Sequence, residues 1–196
     1  MKKNIVSCID LYYGEVGPSS LIDFYKEEIK FSILESFHKK EFFNQSHNDY
    51  AVHSTPEFQK FINFINDDFY YVNFKKEYKD WENEQNTSVK QLVEKNRFGN
   101  VYLPNESSLI RNNVDKNKRV DSPDYTLVYA VSAVDQCSNL IIKYDDNTKK
   151  DCSWNFPIKN GYFFIFPSNL DYYITKNTSN DLSVYLTINY YYILNR

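Results

Sequence analysis

Glycine is scarce in this chain, with four residues among 196 and none of them clustered. Loops that cradle phosphate need close-set glycines to bring backbone amides near the anion, so the usual nucleotide-binding loops are excluded. Histidine is scarcer and unevenly placed: His38, His47 and His53 all precede residue 54. A metal centre or nucleophile–base pair built from the rest of the chain would have to do without imidazole. Cys8, Cys137 and Cys152 are an odd number at unrelated spacings, which fits neither a disulfide framework nor a zinc knuckle. They read as small side chains in a reducing compartment. No Gly-x-Ser-x-Gly segment is present, so a nucleophile elbow is excluded. Charge of one sign is lacking too: a net charge of −3 leaves no electrostatic footprint for nucleic acid. No apolar run is long enough to cross a bilayer, so the expectation is a cytoplasmic protein without a membrane or nucleic-acid partner.

Aromatic residues are plentiful instead. They make up 18% of the chain, with 18 Tyr and 15 Phe, enough for a large core despite few Ala and Val. Lys and Asn are also frequent, the bias of an AT-rich coding sequence, as in many viruses and some bacteria. A viral or phage source is expected on that ground. The length suits a single domain over 1–196.

The first half reads as helices. Asn4–Tyr13 predicts a strand, followed by a turn at Gly14, Gly17 and Pro18. Ser20-x-x-Asp23 is a capping box, and the helix after it carries Leu21, Ile22, Tyr25, Ile29, Ile33 and Phe37 along one stripe. Ser54-Thr55-Pro56-Glu57 opens a second helix, with a capping hydroxyl and a proline in the first turn. Phe58, Phe61, Ile62, Ile65 and Phe69 follow at helical spacing. Between 75 and 96 the chain is strongly charged around Trp81, and Ser88-x-x-Gln91 predicts a short helix carrying Val89, Leu92 and Val93. The three histidines read as solvated loop residues.

The second half reads as strands. Tyr125–Val134 is a long apolar run with β-branched and aromatic side chains, Leu140–Tyr144 follows, and Asp145-Asp146-Asn147 is a hairpin tip. Tyr162–Phe166 is an apolar run bounded by Gly161 and Pro167, and Asp171–Thr175 is a second short strand. From Leu182 the alternation has period two. Leu182, Val184, Leu186, Ile188 and Tyr190 are predicted to face a core, and Ser183, Tyr185, Thr187 and Asn189 the other way.

Gly161-Tyr162-Phe163-Phe164-Ile165-Phe166-Pro167-Ser168-Asn169-Leu170, a short strand, a loop and an alternating strand ending in Asn resemble the C-terminal half of the 2-oxoglutarate/Fe(II)-dependent oxygenases, of the prolyl-hydroxylase-like and phage type. The resemblance implies a double-stranded β-helix, the jelly roll related to cupins, at 101–196, with a helical elaboration at 1–100. It also implies that Leu182, Val184, Leu186 and Ile188 point into the barrel. The family holds Fe(II) with His-x-Asp (or Glu) and a second histidine, and pairs an Arg or Lys with 2-oxoglutarate.

Laid on this chain, the first motif falls at Arg119-Val120-Asp121 and the second histidine at Tyr172, while the cation falls near Asp181-Leu182, where none exists. Arginine stays protonated and cannot ligate, and a tyrosine of ordinary pKa is a poor Fe(II) ligand. His47-Asn48-Asp49 does spell His-x-Asp, but no histidine follows in the barrel half. The expectation is therefore a non-catalytic jelly-roll protein that binds neither Fe(II) nor 2-oxoglutarate. Arg119, Asp121 and Tyr172 would form a polar cluster at the old metal position, and the partner would be a protein. The alternative is an active hydroxylase that takes Fe(II) and 2-oxoglutarate through an atypical site around Asp121.

Overall fold

The computed structural model describes residues 11–15, 20–66, 89–114, 121–144 and 152–195. Helix α1, Ser20–Lys39, buries Tyr25, Ile29, Ile33 and Ser36, a stripe of one residue per turn. It closes without glycine: Lys40 takes a left-handed φ of 58°. Lys40 N donates to Phe37 O and Glu41 N to Ser36 O, which satisfies two carbonyls that the helix end leaves free. Helix α2 spans 56–66 and starts as the sequence predicts, with Phe58 N donating to Thr55 Oγ1 at 3.1 Å. Phe58, Phe61, Ile62 and Ile65 are its buried side.

The strands are β1 (Tyr12–Glu15), β2 (Phe42–Asn44), β3 (Asp49–Tyr50), β4 (Val89–Tyr102), β5 (Tyr125–Ser132), β6 (Asn139–Tyr144), β7 (Cys152–Pro157), β8 (Tyr162–Pro167), β9 (Asp171–Ile174) and β10 (Ser183–Asn195). They form a seven-stranded sheet, β1-β8-β5-β10-β4-β3-β2, and a three-stranded sheet, β7-β6-β9, antiparallel throughout. The two sheets enclose one core, made of Tyr102, Val128, Leu140, Phe166, Tyr172 and Tyr185 among others. A second core fills the outer face of the large sheet, where Leu127, Tyr129, Ile165, Leu186 and Ile188 meet α1 and α2. This mainly β arrangement is the expected jelly roll with helices packed on it.

Three expectations change. Residues 89–102 are not a short helix but the long strand β4, paired along its length with β10. Tertiary pairing to a neighbouring strand overrides the weak capping signal at Ser88. The facing of β10 is also reversed. Val184, Leu186 and Ile188 pack under the helices, outside the barrel, with Leu182 partly buried against the same core. The interior instead receives Tyr185, Thr187 and Asn189. Alternation shows which side chains share a face, but this sheet is covered on both faces, and the apolar one goes to the helices. Finally, His47 is half-buried rather than solvated, with its Nδ1 buried and without a hydrogen bond. His38 and His53 are exposed as expected. The expectations for Asn4–Asp10, Gly17, Pro18, Phe69, Trp81, Arg119 and Asp145–Asn147 lie outside the described residues.

Candidate functional site

Strand register builds the site. Asn189 on β10 stands opposite Asn96 on β4 and opposite Thr126 on β5, so three short polar side chains form a row across the sheet. A bulge follows immediately: Asn189 pairs with Asn96 but Tyr190 pairs with Glu94. The row is knitted by hydrogen bonds. Asn189 Nδ2 donates to Asn96 Oδ1 at 2.8 Å, and Thr126 Oγ1 donates to Asn189 Oδ1 at 2.9 Å. Ser168, just past β8, shares a 2.8 Å hydrogen bond with Thr126.

Asn113 crosses from the opposite side. Its Nδ2 donates to Thr126 Oγ1 (2.8 Å), Asn189 Oδ1 (3.0 Å) and the Tyr172 hydroxyl (3.3 Å). Tyr172 on β9 is only 2% exposed, and its hydroxyl lies near the Thr187 side chain. Burial pushes its pKa up, against the opposing pull of Arg111, Asn113 and Thr187, so the phenol stays protonated at neutral pH. Two residues before Asn113, Arg111 is tied to the Tyr172 main chain by a reciprocal pair, Arg111 N to Tyr172 O (2.8 Å) and Tyr172 N to Arg111 O (2.9 Å).

The Arg111 side chain runs the other way, to β3. It donates to Asp49 Oδ1 at 2.5 Å and to the His47 main-chain carbonyl at 2.9 Å. Asp49 also accepts from Asn100 Nδ2 at 2.7 Å. Both charges are nearly sealed from solvent, Arg111 at 6% exposure and Asp49 at 4%. Burial would lower the Arg111 pKa, but Tyr102, Tyr172 and Asp49 raise it overall. The two phenols are neutral near pH 7, so Asp49 is the counter-charge that matters there.

Between these groups lies a cavity of about 280 Å³, lined by Phe43, Asn96, Phe98, Arg111, Asn113 and Asn189 among others. Phe43 forms its rim. It is 49% exposed and stacks on Phe98 with centroids 5.5 Å apart and planes 14° from parallel. The Arg111 guanidinium lies against Phe98, 5.5 Å from the ring centroid.

Of the residues expected from sequence, Tyr172 is in this cluster. Asp121 is exposed in a turn, where its main-chain carbonyl accepts from Tyr191 Oη at 3.3 Å. The side chains that meet Tyr172 belong to Asn113 and Thr187, and the segment that pairs with it begins at Arg111, eight residues before Arg119. Asn96, Asn113, Thr126, Ser168 and Asn189 escaped the sequence reading. The available signal was the amide and hydroxyl face of β10, which is polar but lies on a strand covered on both sides.

The two sheets form a double-stranded β-helix, and solved oxygenases and hydroxylases are similar to it in fold. The chain is similar in structure to a prolyl-4-hydroxylase from Pseudomonas putida, at a TM-score of 0.59 and 8% identity over 92% of this chain and 91% of that one. It is also similar to a prolyl hydroxylase from Trichoplax adhaerens, solved with a hypoxia-inducible-factor peptide (TM-score 0.57, 8% identity, 92% and 83% covered). A non-heme alpha-ketoglutarate-dependent carbocyclase from nogalamycin biosynthesis aligns at a TM-score of 0.58 and 10% identity, over 92% and 78%. No family model and no curated protein sequence matches the chain.

The residues at the cluster do not fit the iron and co-substrate of that fold. Arg111 offers a cation, Asn113 a weakly donating amide and Tyr172 a buried phenol held protonated, where Fe(II) needs imidazole and carboxylate. Among the described residues no three His, Cys, Asp or Glu side chains converge on one point. One imidazole and one carboxylate do line the cavity, His47 and Asp49, but Asp49 Oδ1 already accepts from Arg111 and Asn100.

Proposed function

We propose that the chain is a non-catalytic protein of the oxygenase fold, a binding module that uses the cavity between β3, β4 and the 111–114 segment. The observation that supports this most is that the 111–114 segment pairs with Tyr172 and sets the Asn113 amide on its phenol, where the resemblance implies the second histidine. The cation that the resemblance pairs with 2-oxoglutarate falls near Asp181-Leu182, where none exists, and the buried cation beside the cavity, Arg111, is tied to Asp49. What remains is a concave, half-open, amide-rich site. That shape favours a small ligand over the protein contact expected from sequence. Among the described residues no helix is long and apolar enough to cross a membrane.

Anaerobic calorimetric titration with Fe(II) and 2-oxoglutarate tests the reading. No saturable heat is expected for either at micromolar concentrations. Stoichiometric uptake of both would overturn it in favour of an active hydroxylase.

A further inference from the structure

We infer that the cavity takes a neutral saccharide ring, an assignment that rests on the binding-module reading above and names its ligand. The charge balance comes first. Arg111 is neutralised by Asp49, and the other polar side chains lining the cavity are His47 and the five amides Asn44, Asn96, Asn112, Asn113 and Asn189. A charged ligand of either sign would find the facing charge already paired, Arg111 against Asp49.

Amides suit hydroxyl groups for a specific reason. Each Asn carries one acceptor and two donor hydrogens, and each sugar hydroxyl both donates and accepts. Asn96 Oδ1 is held by Asn189 and Asn113 Nδ2 is held by three acceptors, so both amides are fixed in place. Their other halves, Asn96 Nδ2 and Asn113 Oδ1, make no hydrogen bond to the described residues. The cavity therefore presents one pre-positioned donor and one pre-positioned acceptor, the complement of neighbouring ring hydroxyls.

The rim supplies the second half of a sugar site. Phe43 is half exposed and backed by a near-parallel Phe98, which leaves a rigid aromatic face beside the amides. A pyranose has an apolar C–H face and a polar edge, so it can cover Phe43 while its hydroxyls reach the asparagines. A volume of about 280 Å³ accommodates one ring rather than an extended chain.

The test is saturation-transfer NMR with calorimetry on the full chain, using the methyl glycosides of glucose, galactose, mannose and N-acetylglucosamine, with adenosine and glucose 6-phosphate alongside. At least one neutral glycoside should bind, receiving saturation on its C–H face, and should bind more tightly than its phosphorylated counterpart. Phe43→Ala, a change at an exposed ring, should weaken it at least tenfold with the melting temperature unchanged. Asn96→Asp, which keeps the acceptor but removes the donor, should weaken it several-fold. Silence of all four glycosides, preference for adenosine or for the phosphate, or unchanged affinity in Phe43→Ala would overturn the assignment. Silence without Fe(II) uptake leaves the non-catalytic reading standing, whereas Fe(II) and 2-oxoglutarate uptake removes that reading itself.

Discussion

Asp49 and Arg111 form a buried ion pair whose worth lies in its completeness. Arg111 has Asp49 and a carbonyl, and Asp49 has Arg111 and an amide. Removing one member leaves the other charge stranded in a low-dielectric site, so Asp49→Asn should cost about 3–5 kcal/mol. The double change Asp49→Leu with Arg111→Met should cost much less than the single one, because no charge is then left unpaired. Urea denaturation of the unaltered protein and the two variants measures this. A single-variant cost below about 1 kcal/mol would mean that water reaches the pair.

At the level of elements, two contacts set how the sheet sits between its two covers. Gly99 on β4 lies under α1, and a Cβ there would come within 2.6 Å of two Ile33 carbons. Gly99→Ala should therefore destabilise by about 1–3 kcal/mol through overpacking. Combined with Ile33→Ala, which removes both of those carbons, it should cost less than the sum of the two single changes. Additive costs in a double-mutant cycle would show that helix and strand do not approach this closely. On β10, Leu186→Ala should cost about 2–5 kcal/mol, as a large-to-small change under the helices. Thr187→Ala should cost about 1–3 kcal/mol, because Thr187 is a buried neighbour of the Tyr172 hydroxyl rather than a solvated residue.

That pair also shows what the sequence makes legible. Period-two spacing separates Leu186 from Thr187 onto opposite faces, and the jelly roll follows from the order of the runs. What the spacing does not contain is the identity of the cover on each face. Two helices that begin 127 or more residues upstream of β10 claim the apolar side, and the small sheet claims the polar one. The site was less legible for a related reason. Asn96, Asn113, Thr126 and Asn189 are ordinary surface residue types, and only strand register, with the bridge at Arg111, brings them into one network. Tyr172 was recoverable because it sits at a fixed distance after the Phe166-Pro167 signal.

For the molecule as a whole, tyrosine burial sets the alkaline limit. Burial is the largest cause of the raised pKa of Tyr102, Tyr129, Tyr172, Tyr185 and Tyr190. A group whose pKa is higher in the folded state contributes stability that is fully present below the unfolded value, about 10 for tyrosine, and is lost as pH rises past it. The urea midpoint should thus change little from these groups near neutrality and fall steeply above about pH 10. Ultraviolet titration of the phenols should show one fraction ionising normally and a second only on unfolding. A single normal transition with retained fold would contradict the burial of these side chains.

The strand order carries a kinetic consequence. Strand β10 lies between β5 and β4, which do not pair with each other. Until the segment from Ser183 onward has left the ribosome, β2-β3-β4 and β5-β8-β1 remain two separate half-sheets with open edges. Folding must therefore wait for the strand that comes last in sequence among those described, and a chain stalled before Leu182 would present the unpaired edges of β5 and β4 instead of one continuous sheet.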